Sequence, residues 1–195
     1  HLSIRRQRQM CIRDRYRTLM NMRWQPSLKI IPHYESDPLY VDALVNSINV
    51  KVKNINWKPD LILASYHGIP KKYFDKGDPY HCYCHKTTRL ISEKFTSIEI
   101  KTTFQSRFGP EKWLQPYVDE MIPSLAKNGT KHLQIISPGF SADCLETLEE
   151  IDIQYRELFE EHGGEKYSYI PCLNDSDDHI ELIKNLIMNN SKGWH

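Results

Sequence analysis

No apolar run in these 195 residues approaches the 18 or more that a bilayer-crossing helix needs, so the expectation is a soluble, cytoplasmic protein. Phosphate cradles are missing as well. There is no G-x-G-x-x-G and no Walker sequence, and Gly163-Gly164 closes a helical pattern instead of opening one. No Gly-x-Ser-x-Gly elbow surrounds Ser141, so hydrolase and dinucleotide-binding readings both drop out. The five cysteines fit no disulfide framework, and nothing indicates export. Internal repeats and low-complexity segments are lacking too.

Charge of one sign is scarce everywhere except at the start. The chain carries a formal +1, yet residues 1–17 hold six arginines and one aspartate, leaving −4 on the remainder. This segment has neither the apolar core of a signal peptide nor a serine-rich run. Residues 1–17, with RQRQMCIRDR at their centre, read as a non-native or disordered basic tail, so no nucleic-acid partner is expected. With 39% hydrophobic residues and 11 tyrosines, the rest can bury a proper core, and length favours one domain.

What is present alternates in an ordered way. Short apolar runs at 61–66, 98–104, 132–137 and 166–170 read as strands, and helical patterns occupy about 81–95, 116–127, 143–161 and 178–189. Ser36-Asp37-Pro38 makes a strong start for a further helix over 38–50, with proline at its first position. Strand and helix in alternation with short connections define a Rossmann-like α/β fold, a four-stranded parallel sheet flanked by helices on both faces. Residues 36–190 form that domain, 18–35 lead into it, and 191–195 read as a flexible tail.

Two features speak about chemistry. Asp143, Glu146 and Glu150 lie three and four apart, a spacing that puts all three carboxylates on one face of an α-helix. Leu148, Ile151, Tyr155, Leu158 and Phe159 are the opposing apolar stripe. The helix macrodipole alone accounts for an acid at Asp143, but not for Glu146 and Glu150 beyond the first turn, for which a solvated face is the alternative. His67 follows the run Leu61 to Ala64 ahead of Gly68 and Pro70. A parallel strand places ligand-binding residues just beyond its carboxyl end, so His67 and the acidic stripe together suggest a metal-handling site.

The motifs SYHGIP, GDPY, FQSRFG followed by WLQP, and PGFSADCLETLEEI resemble, in that order and spacing, the C-terminal half of ferrochelatases, enzymes that insert Fe²⁺ into protoporphyrin IX to make haem. The resemblance runs from about Arg23 to Ile187, and RWQPSLKIIPHY looks like the connection into that half. It implies that His67 and Glu146 are the active-site pair to which the ferrous ion is assigned, that Asp143 and Glu150 extend an acidic route for metal or protons, and that Trp113 lies against the porphyrin. Cys144 departs from the pattern, since many members have a histidine there. Iron and protoporphyrin IX would be the substrates, the missing N-terminal half a partner, and a membrane surface a peripheral contact, because porphyrins are poorly soluble. Imidazole and carboxylate suit this task, binding Fe²⁺ strongly enough to strip its water and weakly enough to release it.

A non-catalytic metal- or haem-binding α/β module is the alternative from another class, and a short cobalt or nickel chelatase is a third reading. Some ferrochelatases carry a [2Fe–2S] cluster on four cysteines. Cys82, Cys84, Cys144 and Cys172 supply that number, but their spacing matches no cluster pattern, and reduced thiols are the expectation. In HCYCH, a helix would set Cys84 beside His81 and His85 while Cys82 points elsewhere.

Overall fold

β-Branched and aromatic residues carry the sheet of the computed structural model, which describes residues 14–194. The expectation of a non-native or disordered tail therefore lies, for residues 1–13, outside the described residues. The described residues fall into two compact units, divided between Pro32 and His33. In the first, residues 14–20 are helical (α1) and largely exposed, and the Gln25 side-chain amide donates to the Leu19 carbonyl at 3.0 Å.

The second unit holds four strands: β1 (Leu61–His67), β2 (Ile100–Gln105), β3 (His132–Ile136) and β4 (Lys166–Ile170). All neighbours pair in parallel, in the order β2-β1-β3-β4. Helix α2 (Pro38–Asn54) precedes β1; α3 (Lys71–Asp75) and α4 (Tyr80–Lys94) link β1 to β2, and α5 (Val118–Lys127) links β2 to β3. A π-helix (Glu146–Gln154) continuing into α6 (Tyr155–Glu161) links β3 to β4, and α7 (Asp177–Asn190) closes the unit. This is the expected parallel α/β sheet. Among the described residues, no helix is long and apolar enough to cross a membrane.

Alternation along the strands sorts the core into two layers. Ile62, Ala64, Tyr66, Ile100, Phe104, Ile136 and Ile170 pack with α2 and α4, and α7 packs on α2. Leu61, Leu63, Leu133, Ile135, Tyr167 and Tyr169 pack with α5, the π-helix and α6. Helix α2 starts as its sequence demands, with the Asp37 carboxylate accepting from the Leu39 N–H at 2.9 Å and Pro38 in the first turn.

Three expectations are corrected. The helix placed at 116–127 opens only at Val118, because the Pro116 carbonyl accepts from the Phe104 N–H at 2.9 Å and Tyr117 bridges to Phe104, so this stretch extends the sheet edge. Residues 98–99 fall outside β2, which begins at Ile100 and reaches Gln105.

The largest correction concerns 143–161, which is not one α-helix. Asp143 lies ahead of the helix, and Glu146–Gln154 is π-helical, with the Tyr155 N–H donating to the Glu150 carbonyl five residues back. Packing explains the wider turn. Thr147, Ile151, Tyr155 and Phe159 are all buried, and in an α-helix each such four-residue step rotates by about 40°. Over these three steps the buried row would drift by about 120°, which the π-turn reduces. The same change of phase expels Leu148, which is 50% exposed instead of joining the apolar stripe.

Candidate functional site

Strand β1 borders β2 on one side and β3 on the other, and the connections leaving β1 and β3 cover opposite faces of the sheet. Chain segments diverge above such a point, leaving a crevice at the carboxyl ends of the strands. His67 is the last residue of β1, half-buried, and on the same sheet face as the π-helix. Its Nδ1 lies 2.7 Å from the Gly68 carbonyl, which can only accept, so Nδ1 carries the proton. That contact selects the Nδ1–H tautomer, in which Nε2 carries the lone pair that could meet a metal or a proton. The His67 carbonyl accepts from the Tyr80 hydroxyl at 2.9 Å, and the Phe140 ring from the loop after β3 stands 6.4 Å away, centroid to centroid.

Trp113 packs on Gly68, the residue after this histidine. A side chain at Gly68 would meet the Gln105 carbonyl at 3.0 Å and Trp113 Cε3 at 3.2 Å, so glycine lets the indole close over the end of β1. The indole N–H donates to the Phe108 carbonyl at 3.0 Å, and the Trp113 N–H donates to the Tyr117 hydroxyl at 3.1 Å.

Gln105 joins the histidine to the π-helix. It pairs with His67 in the ladder and is 2% exposed. Its side-chain oxygen accepts from the Ser65 hydroxyl at 2.7 Å, and its amide donates to the Glu146 carbonyl at 3.0 Å. The start of the π-helix is thereby bracketed to the two strands that carry the site. Glu146 is half-buried at that start, and the Cys144 thiol is its electrostatic neighbour. Burial, followed by this contact with Glu146, pushes the Cys144 thiol above its ordinary range.

The other two acids of the expected stripe are engaged elsewhere. Glu150 Oε1 accepts from the Ser106 N–H at 2.9 Å and the Tyr155 hydroxyl at 2.7 Å, and Oε2 accepts from the Ser106 hydroxyl at 2.5 Å. Ser106 has φ +60°, a left-handed conformation this clamp holds in place. Asp143 turns toward the end of β4: its carboxylate accepts from the Tyr169 hydroxyl at 2.7 Å, the Asn174 amide at 2.7 Å and the Cys172 N–H at 3.2 Å. Burial alone would raise its pKa, but the bonds from Asn174, Tyr169 and Cys172 outweigh burial and hold it below the ordinary 3.8. The three carboxylates thus do not form one open stripe.

Among the described residues, no three of His, Cys, Asp and Glu gather into a group able to hold a metal ion. The cysteines are dispersed, with Cys82 exposed on α4, Cys84 and Cys172 buried in the core, and Cys144 beside Glu146. Burial pushes the Cys172 thiol up to about 12.

Sequence reasoning missed Gln105, Ser106 and Tyr155 as the bracket of the site. The first two lie inside FQSRFG, a motif otherwise marked only by its resemblance.

A parallel sheet with an imidazole at its switch point and a carboxylate opening the neighbouring helix defines a chelatase-type α/β domain. Comparison with known proteins sharpens that class. The ferrochelatase family model matches residues 8–191. The chain is 51% identical over 183 residues to the ferrochelatase of Allorhizobium ampelinum, covering 93% of this chain and 53% of that protein. It is 51% identical over 181 residues to that of Rhizobium meliloti (92% and 53%) and 49% identical over 181 residues to that of Brucella ovis (92% and 51%). The chain belongs to the ferrochelatase family, and it spans about half the length of the curated relatives it matches.

Proposed function

We propose that this chain supplies the iron-handling half of a cleft that inserts Fe²⁺ into protoporphyrin IX, with the rest of the cleft formed by the part of the relatives that it does not cover. Iron is the substrate in this reaction, not a resident cofactor. Four Fe–N bonds form while two pyrrole N–H bonds break, so two protons must leave the macrocycle. The observation that carries the reading is the His67 tautomer: Nδ1–H is spent on the Gly68 carbonyl, which leaves Nε2 as proton acceptor or transient ligand at the switch point.

Glu146 is the carboxylate partner across the porphyrin, held on the bracketed start of the π-helix. A single imidazole and a single carboxylate bind Fe²⁺ loosely enough for release. Trp113, packed on Gly68, offers an aromatic wall for the macrocycle. Asp143 and Glu150, whose oxygens are occupied by hydrogen bonds, tie the approach to the helix and its middle to the neighbouring strands' ends and lie along the acidic route the family resemblance implies.

The test is anaerobic haem formation from Fe²⁺ and protoporphyrin IX, followed by loss of porphyrin fluorescence. It is run on this chain and on a chimera that joins it to the first half of the Rhizobium meliloti protein. His67→Ala and Glu146→Gln should each lower metallation by about 10²-fold or more with an unchanged far-UV spectrum. Near-normal turnover in both variants would sink the assignment. Porphyrin left unmetallated by chain and chimera alike would favour a non-catalytic haem- or metal-binding module.

A further inference from the structure

Helix α4 carries a feature that iron insertion at the switch point does not use. His81 and His85 lie one turn apart on this fifteen-residue helix, with ring centroids 4.3 Å from each other. Neither imidazole has a hydrogen-bond partner among the described residues, unlike His67, His132, His162 and His179, whose Nδ1 atoms all meet backbone carbonyls. Histidines left without such a partner on a structured helix keep both ring nitrogens available.

Their rings are also held in place. His81 stacks on Phe104 at 5.8 Å and 18°, and the tilted Phe74 ring stands 4.9 Å from it. His85 sits 6.3 Å from the same Phe104 ring and is exposed on its outer side. Phe104 belongs to the sheet layer opposite the His67 face, so the pair is separate from the proposed iron site. Cys84, which shares the helix face, is 2% exposed and turned into the core, where it neighbours Tyr40 and Tyr66.

The geometry points to a second metal site on α4, in which His81 and His85 together take one borderline divalent transition ion of the Zn²⁺, Co²⁺ or Ni²⁺ class. Two imidazoles four residues apart on one helix face are the spacing that chelates such ions, and preoriented rings lose little freedom on binding. With two protein ligands, the remaining coordination positions belong to water, so the ion exchanges readily. Burial lowers the pKa of both rings, and in His85 the neighbouring His81 lowers it further, so both are neutral, ligating imidazoles near pH 7.

Equilibrium titration with Co²⁺, read by its visible absorption and by calorimetry, tests the site without any need for porphyrin. The wild-type chain should bind Co²⁺, and His67→Ala should keep the α4 equivalent. By contrast, His85→Gln and His81→Ala should each weaken that equivalent at least about tenfold, since each removes half of the ligand set. Exposed His85→Gln guards against a folding defect in His81→Ala, whose ring packs on Phe104. Should both variants bind Co²⁺ as the wild type does, or should the wild type bind none, the α4 site is wrong. Loss of binding only in His67→Ala would also overturn it, while leaving the iron-site reading standing.

Discussion

The two faces of the sheet are built differently. One face is covered by α2 and α4, α-helices that meet aliphatic and aromatic strand residues, with α7 packed on α2. The other face is as apolar at its base, through Leu61, Leu63, Leu133 and Ile135, but its carboxyl edge carries Ser65, His67, Thr103 and Gln105, and its cover includes a π-helix. Regular geometry serves the face covered by α2 and α4. Irregular geometry appears where polar side chains must meet a helix end, because hydrogen-bond partners there override the 3.6-residue repeat.

If the comparison holds, both faces are equally dense at their bases. Phe159→Ala on the site face should cost about 3–5 kcal/mol, and Ile91→Ala on the other about 2–5 kcal/mol, measured by urea unfolding. A loss below about 1 kcal/mol for Phe159→Ala would show the site face to be loosely packed.

Next in size is the clamp at the carboxyl edge. Glu150→Gln removes the charged acceptor of three hydrogen bonds from Ser106 and Tyr155 and should destabilise by about 1.5–3 kcal/mol. An unchanged denaturation midpoint would mean that the π-helix stands without it.

The packing face has one flaw of its own. Gln134 is fully buried on β3, with neither side-chain polar atom paired among the described residues. Gln134→Met should raise stability by about 1–3 kcal/mol, since it replaces an unsatisfied amide by an apolar chain of similar size. A destabilised variant would show that the amide is satisfied in solution.

The smallest effect is acid sensitivity from Asp143. Its pKa in the fold lies below 3.8, so its stabilising contribution is complete above the unfolded value and is lost as pH falls through the folded one. Stability should therefore decline below about pH 4, and Asp143→Asn should flatten that limb of the profile. An identical pH profile in the variant would place the acid response elsewhere.

Much of this was legible in the residues. A short apolar run bounded by Pro59-Asp60 and Gly68 marked β1 and set His67 at its end, since burial on both faces and turn residues are local signals. The acidic stripe was misread because its spacing was converted to angles at α-helical pitch. Pitch in this segment is set by contacts more than 30 residues away in sequence, from Gln105 and Ser106 to Glu146 and Glu150, which no local pattern contains. Trp113 could be named from its motif, but its place over Gly68 depends on β1 and the loop after β2 meeting in space.

The sequence by itself determined the alternation of strand and helix, the parallel sheet and the residue types available for metal chemistry, because hydrophobic period and turn residues act over a few positions. Only the tertiary structure decided which acids are taken up by hydrogen bonds. Asp143 and Glu150 are taken up by partners from β4 and β2, and that pairing leaves Glu146 beside the bracket and His67 with a free Nε2, since a carboxylate's role follows from the donors that surround it.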